Sequence, residues 1–435
     1  MTRFSRLATL PLVSPKPAVC LLHLTLVAIP LLAQTDPVTP AINQFGLELL
    51  RAQGSAADRG NLLLSPYSIE AALAMAYTGA DGRTREEMRR VLHLPVNDAA
   101  VFDGFADLAG ELDNLQAASR RRAQIARGAG ATEEPIEINV ANRLFAQSGF
   151  AFRPAFTNAL REKFAAPLEE LDFFHAAEPA RVTINAWVAR ETRGRIRALV
   201  PAGAIDATTR AVLANALYLR AAWANAFDPD NTKNERFWID GKKRTEVPTM
   251  LQERHYGYEK RNGYIALALP YVGAELQFVI LLPDQRDGLA DLEQTVTPDL
   301  LAGCAKLSLH DVILHLPKFK LEPPSLPLGA LLRELGMTTA FNQPPGSADF
   351  DRMAPRKPDD YLCISEVFHQ TWLSLDEKGT EAAAATATVM RYGLAVAREP
   401  SPPPIEVRVD RPFLFAIQHV SSGTCLFLGH LTGPP

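Results

Sequence analysis

The chain has 435 residues, 47% apolar and 22% charged, with 26 Gly, 33 Pro and four Cys. That composition fits a soluble globular protein with a large core, and it excludes general disorder and a collagen-like repeat. A formal charge of -4 gives no case for a nucleic-acid partner, where a strongly basic domain is expected.

Arg3, Arg6 and Lys16 precede an apolar run, AVCLLHLTLVAIPLLA, from Ala18 to Ala33. The run is short for a membrane span and Pro30 interrupts it, so residues 1–33 are expected to be a secretory signal peptide. An amphiphilic anchor and a misassigned start are the alternatives. Export removes three basic side chains and no acidic ones, leaving 45 less 3, or 42, against 49 acidic, a net of -7. No membrane association is expected after removal. Cys304, Cys363 and Cys425 then remain, an odd number without CxxC spacing. A disulfide framework, a zinc site and a redox pair are therefore not expected, and three small apolar side chains are.

Residues 40–53 carry a helical stripe of Ile42, Phe45, Leu47, Leu49 and Leu50. Leu62 to Leu64 reads as a short strand ended by Ser65-Pro66, and Ser68 as the cap of an Ala-rich helix stopping near Gly79. Thr84 followed by Glu87 reads as a capping box for another helix. Residues 116–135 are polar and charged and read as an exposed excursion. From Ile136 the pattern alternates as a strand, and helical periodicity returns at 154–165 and 180–192. Residues 211–223 and 264–282 are long apolar strands, the second broken at Pro270 and Gly273 as a hairpin is. A strand at 312–321, a helix at 328–335 and strands at 412–417 and 424–431 follow. Helices interleave with hairpin-connected strands, which points to an α+β protein with antiparallel sheets. Length alone suggests two or three domains, whereas the lack of internal linkers favours one.

Residues 377–390 read EKGTEAAAATATVM. Four consecutive Ala favour a helix by propensity. Read instead with the period of two of a strand, one face holds Thr380, Ala382, Ala384, Thr386 and Thr388, all small and uncharged. Glu381 falls on the other face with Ala383, Ala385 and Ala387. Such a segment fits a helix, a loop or a sheet interior at little steric cost.

At this point the sequence resembles the serpin family. The hinge pattern of that family stands at Glu377 to Thr386, and its carboxy-terminal signature, VRVDRPFLFAI, at Val407 to Ile417. NLLLSPYSIEAALAMAYTGADGRT, ANRLF, INAWVARETRGRI, VLANALYLRAAW, LPKFKLE, LGM and SEVFHQTWLSLDEKGTEA resemble family blocks in the family's order. The resemblance covers residues 40–432. It implies one serpin domain, 34–435, with about nine helices, three mostly antiparallel sheets and an exposed reactive loop near residues 377–405.

The resemblance also implies a suicide-type inhibitor of a serine or cysteine protease, trapping the enzyme as an acyl-enzyme by inserting the cleaved loop as a new strand. A non-inhibitory binding or carrier protein is the alternative. The hinge is then Glu377, Gly379, Thr380, Glu381, Ala382, Ala383, Ala384, Ala385 and Thr386. Ser65, Ser68, Asn215 and His369 match the shutter beneath the parting sheet. Trp223, Lys318 and Glu377 match the breach where the loop enters. The family's spacing puts the bait bond at Gly393-Leu394, with Arg391, Tyr392 and Arg398 as alternatives. From Gly379 to Gly393 an inserted strand would run roughly 46 Å, close to the roughly 55 Å diameter of a chain this long. No cofactor and no metal are expected. The assembly is expected to be a monomer, with loop–sheet polymers as an alternative, and Arg120, Arg121, Arg122 and Arg127 are a candidate polyanion site. GxSxG, HExxH, the P-loop and GxGxxG are absent from the sequence, so an enzyme is not expected. There is no Asn-x-Ser/Thr sequon.

Overall fold

The computed structural model describes residues 1, 37–53, 60–131, 133–239, 243–357, 360–381 and 402–434. The elements run α1 (Thr39–Ala52), β1 (Leu62–Leu64), α2 (Pro66–Gly79), α3 (Gly82–Val91), α4 (Asp98–Gly128), β2 (Glu137–Gln147), α5 (Pro154–Phe164), β3 (Glu169–Leu171), α6 (Phe173–Glu191) and β4 (Ala211–Ala222). Next come β5 (Lys233–Ile239), β6 (Lys243–Arg261), β7 (Tyr264–Pro270), β8 (Leu276–Pro283), α7 (Leu289–Thr295), α8 (Pro298–Gly303), β9 (Leu309–Pro317), β10 (Phe319–Leu321), β11 (Leu326–Pro327) and α9 (Gly329–Glu334). The chain closes with β12 (Glu366–Thr371), β13 (Leu373–Asp376), β14 (Gly379–Thr380), β15 (Ile405–Arg408), β16 (Phe413–His419) and β17 (Thr424–Leu431).

Nine α-helices are present among the described residues, as the resemblance implies. The strands form two hydrogen-bonded networks. Two of the three expected sheets are joined, because the 19-residue β6 runs unbroken from β5 past β9 to β7. Asp36–Pro435 forms one compact unit, and residues 2–33 of the expected signal peptide lie outside the described residues.

The second network has the order β10-β13-β14-β4-β12-β11, with β2 on β4 and β3 on β2. Its centre, β4, reads AVLANALYLRAA and is buried on both faces, as an inner strand without polar alternation should be. Leu213, Leu217, Leu219 and Ala221 face the main core with α2, while Val212, Ala214 and Ala216 pack under Ile184, Trp187 and Val188 of α6. Asn215 falls on the core-facing side of this apolar strand.

Three local expectations are corrected. Residues 116–128 belong to the 31-residue α4, whose stripe of Phe105, Leu108, Leu112, Leu115, Ser119 and Ala123 is buried. Its Arg side chains line the opposite, solvated face, so local polarity hides the helix. The cap of α2 is Ser65, whose hydroxyl accepts from the Ser68 N–H, and Pro66 fills the first turn. Thr84 and Glu87 do not cap α3, which starts at Gly82 without a side-chain cap. Instead Glu87 accepts from the Thr338 and Thr339 N–H groups and from both hydroxyls. Burial alone would raise its pKa; the Thr339 N–H, Arg83 and the other donors hold it at about 2.

The three cysteines are free; Cys304 and Cys425 are buried and Cys363 is half-buried. Burial pushes the Cys304 thiol up to about 12 and raises that of Cys425. No helix among the described residues is long and apolar enough to cross a membrane.

Candidate functional site: the mouth and floor of a parting sheet

The lower halves of β4 and β12 pair directly and in parallel, Val212 opposite Glu366 through Leu217 opposite Thr371. Above that stretch the strands part, and β14 lies between them. Gly379 and Thr380 pair antiparallel with Ala222 and Ala221 on one side and with Asp376 and Leu375 on the other. The two edges are in step: the partners of Thr380 differ by 154 in number (375 less 221), as do Glu366 and Val212 (366 less 212). Gly379 and Thr380 of the hinge are therefore already a strand.

Gly379 is glycine for a steric reason. Its φ is +143, and a Cβ there would lie 2.2 Å from the Ala221 carbonyl oxygen and 2.8 Å from the Ala222 Cα. Thr380 is fully buried, and its hydroxyl is 2.6 Å from that of Tyr271. Glu381 points the other way, its carboxylate paired with the Arg195 guanidinium. The alternation expected from sequence thus holds as far as the hinge is described. Ala382, Ala383, Ala384, Ala385 and Thr386, and the candidate bait residues Arg391, Tyr392, Gly393, Leu394 and Arg398, lie outside the described residues.

Trp223, Lys318 and Glu377 come together at the mouth. The Glu377 carboxylate lies 2.8 Å from the Lys318 ammonium and accepts from the Thr232 hydroxyl, also at 2.8 Å. Burial raises its pKa, but Lys318, its own backbone N–H and Thr232 outweigh burial and hold it below the usual carboxylate range. The Trp223 indole N–H donates to the Asp376 carbonyl, and the ring stacks on Tyr271 at 4.7 Å between centroids.

Ser65, Ser68, Asn215 and His369 meet at the floor, all buried. The Ser65 N–H donates to His369 Nε2, so the ring proton sits on Nδ1 and is given to Asn215 Oδ1. Asn215 Nδ2 donates to Ser68 Oγ, and Ser68 Oγ donates to Asn142 Oδ1 at 3.0 Å. With no carboxylate partner, burial lowers the His369 pKa to about 3, so the ring is neutral.

The site also contains residues not picked out from the sequence. Asn142 returns a hydrogen bond to the Ser68 carbonyl, and on the half-buried, polar-interrupted strand EINVANRLFAQ nothing local sets it apart. Thr232, Tyr271 and Arg195 reach the hinge from sequence-distant elements and carry no local signal. Of the candidate polyanion residues, Arg120, Arg121 and Arg127 are exposed on α4, whereas Arg122 is engaged by Glu275 at 2.8 Å. No cluster of His, Cys, Asp or Glu able to hold a metal occurs among the described residues.

The family model for serpins, serine protease inhibitors, matches residues 40–434. Leukocyte elastase inhibitor of Bos taurus is 34% identical over 408 residues, covering 92% of this chain and all of the relative. Serpin B6 of Macaca fascicularis is 35% identical over 412 residues, with the same coverage. The crystal structure of Serpin48 from Tenebrio molitor, described as a highly specific serpin, matches at a TM-score of 0.76 and 29% identity, over 93% of this chain and all of that one. A sheet open at its mouth, a hinge seated in that opening and a match along nearly the whole chain lead to one conclusion: this chain belongs to the serpin family.

Proposed function

We propose that the protein is a suicide-type inhibitor of a serine or cysteine protease. The observation that carries this reading is the placement of β14, antiparallel between two strands that are parallel to each other below it. Extending the loop downward exchanges one parallel pairing for two antiparallel ones, and antiparallel pairing is slightly the more stable per residue. At about 1 kcal/mol net per added hydrogen bond, a dozen inserted residues release on the order of 10 kcal/mol, comparable with the stability of a whole domain. The uncleaved form is then kinetically trapped. In the same register Ala382, Ala384, Thr386 and Thr388 turn toward the core, and Thr386 arrives between Asn215 and His369. None of the four carries a charge that the interior would reject.

In the inhibitory reaction the protease nucleophile attacks the carbonyl carbon before the bait bond. The C–N bond breaks, the new amine leaves with the carboxy-terminal segment, and the acyl group stays on the enzyme. Insertion drags the acylated enzyme away before water can attack. We assign the bond to Gly393-Leu394, with Arg391, Tyr392 and Arg398 as the alternative residues before it. The protein is further proposed to be exported after loss of residues 1–33, to act as a monomer through a single domain, 34–435, and to offer Arg120, Arg121 and Arg127 to a polyanion.

Incubation with a panel of serine and cysteine proteases tests this. An SDS-resistant complex is expected with at least one, and the mass of the released carboxy-terminal peptide identifies the bond. Clean cleavage without a complex by every enzyme that cuts the loop would instead mark a binding or carrier serpin.

A further inference from the structure

Register is a problem for a loop of this composition. Side chains alternate faces along a strand, so a slip of one residue turns the inward set outward. Ala382, Ala383, Ala384 and Ala385 are identical and place no restriction on which face is which. The specification must come from the residues that enter first. Two contacts supply it from opposite faces: Thr380 meets Tyr271 beneath the sheet, and Glu381 meets Arg195 above it.

The outer contact is built rather than incidental. Arg195 lies in the segment after α6, with its guanidinium 4.7 Å over the Trp372 ring. The other cations around this groove already have carboxylates: Arg193 pairs with Glu137, Arg220 with Glu134 and Glu137, and Lys320 with Glu322. The Glu381 N–H is already in the ladder, donating to the Ser374 carbonyl at 3.0 Å. Its φ of 48 is left-handed, a conformation uncommon for a non-glycine residue.

We infer that Arg195 is a positioning residue for loop insertion: by holding Glu381 on the outer face it keeps Gly379 and Thr380 threaded in register before any protease arrives. This inference rests on the loop-insertion reading above. Insertion then starts from a seated end, and only the turn at Glu381 has to straighten before the next residue enters. With Arg195 removed or reversed the end leaves the sheet, and insertion has to find both the entry and the register while the acyl-enzyme is hydrolysing.

The test uses Arg195→Glu, Glu381→Arg and the double variant, with Tyr271→Phe for the inner contact. Hydrogen exchange of the intact protein is followed over a peptide containing Thr380 and Glu381, and the number of inhibitor molecules consumed per protease is measured. Each single reversal is expected to deprotect these amides and to raise the stoichiometry about 1.4-fold to fivefold, the range that surface ion pairs span. The double variant should restore both, and Tyr271→Phe should deprotect the same amides while keeping the stack on Trp223. Single reversals that exchange and inhibit like the parent overturn the inference, as does a double variant that merely adds the two defects. Should the parent trap no protease at all, the inhibitor reading fails, while exchange in the intact protein still decides whether Arg195 seats the hinge.

Discussion

Asn215 and His369 stand directly opposite each other on parallel strands and are joined side chain to side chain. That bond ties the two strands where they pair, and in the loop-insertion reading it sits in the path that Thr386 would take.

The buried, neutral His369 makes native stability depend on pH. The folded His369 pKa is near 3, while an unfolded histidine titrates near 6.5. Between those values the unfolded state binds the extra proton, so this contribution is whole above about pH 6.5 and shrinks as pH falls toward 3. Urea midpoints at pH 7.5 and pH 5 should fall on acidification, and less so in His369→Asn. Equal pH slopes in the two proteins would refute the assignment.

Cleavage of the loop should stabilise the molecule. If about 10 kcal/mol is released on insertion, the nicked protein should melt more than about 10 °C above the intact one. Calorimetry before and after limited proteolysis measures this. Coincident melting curves would mean that the loop does not insert.

Glu377→Lys should loosen the mouth. It replaces the partner of Lys318 and Thr232 with a like charge beside Lys318, and an uncompensated charge at a mostly buried site is strongly unfavourable. Heating at moderate temperature should then yield loop–sheet polymers on native gels. A variant that remains monomeric and inhibitory under those conditions contradicts the role given to this pair.

Gly379→Ala should weaken inhibition more than folding. The added methyl meets the Ala221 carbonyl and the Ala222 backbone, so the hinge cannot seat, while none of the described hinge residues Glu377 to Glu381 belongs to the hydrophobic core clusters. More inhibitor should be consumed per protease, with an unfolding midpoint within a few degrees of the parent. A parent-like stoichiometry would show that hinge seating is dispensable.

Much of the fold was legible because apolar periodicity is a local property. β4, the β7–β8 hairpin, the closing strands and the opposite facing of Thr380 and Glu381 all follow from it. The shutter and breach residues came instead from family motifs, since nothing local marks Ser65 or Asn215 as meeting His369. What stayed hidden was polar or distant. The β5–β6 pair, KNERFWI with KRTEVPTMLQERHYGYEKR, is half exposed and charged, so no apolar stripe announces it. α4 was masked by its Arg-rich outer face, and the Thr84–Glu87 pattern proved to serve contacts with Thr338 and Thr339 rather than its own helix.

The flat contact between Trp223 and Tyr271 carries one more consequence. Since that phenol also holds the first buried hydroxyl of the hinge, the indole is a built-in fluorophore at the entrance. Arrival or departure of the loop should register in its emission, so the molecule can be watched at work without any dye attached.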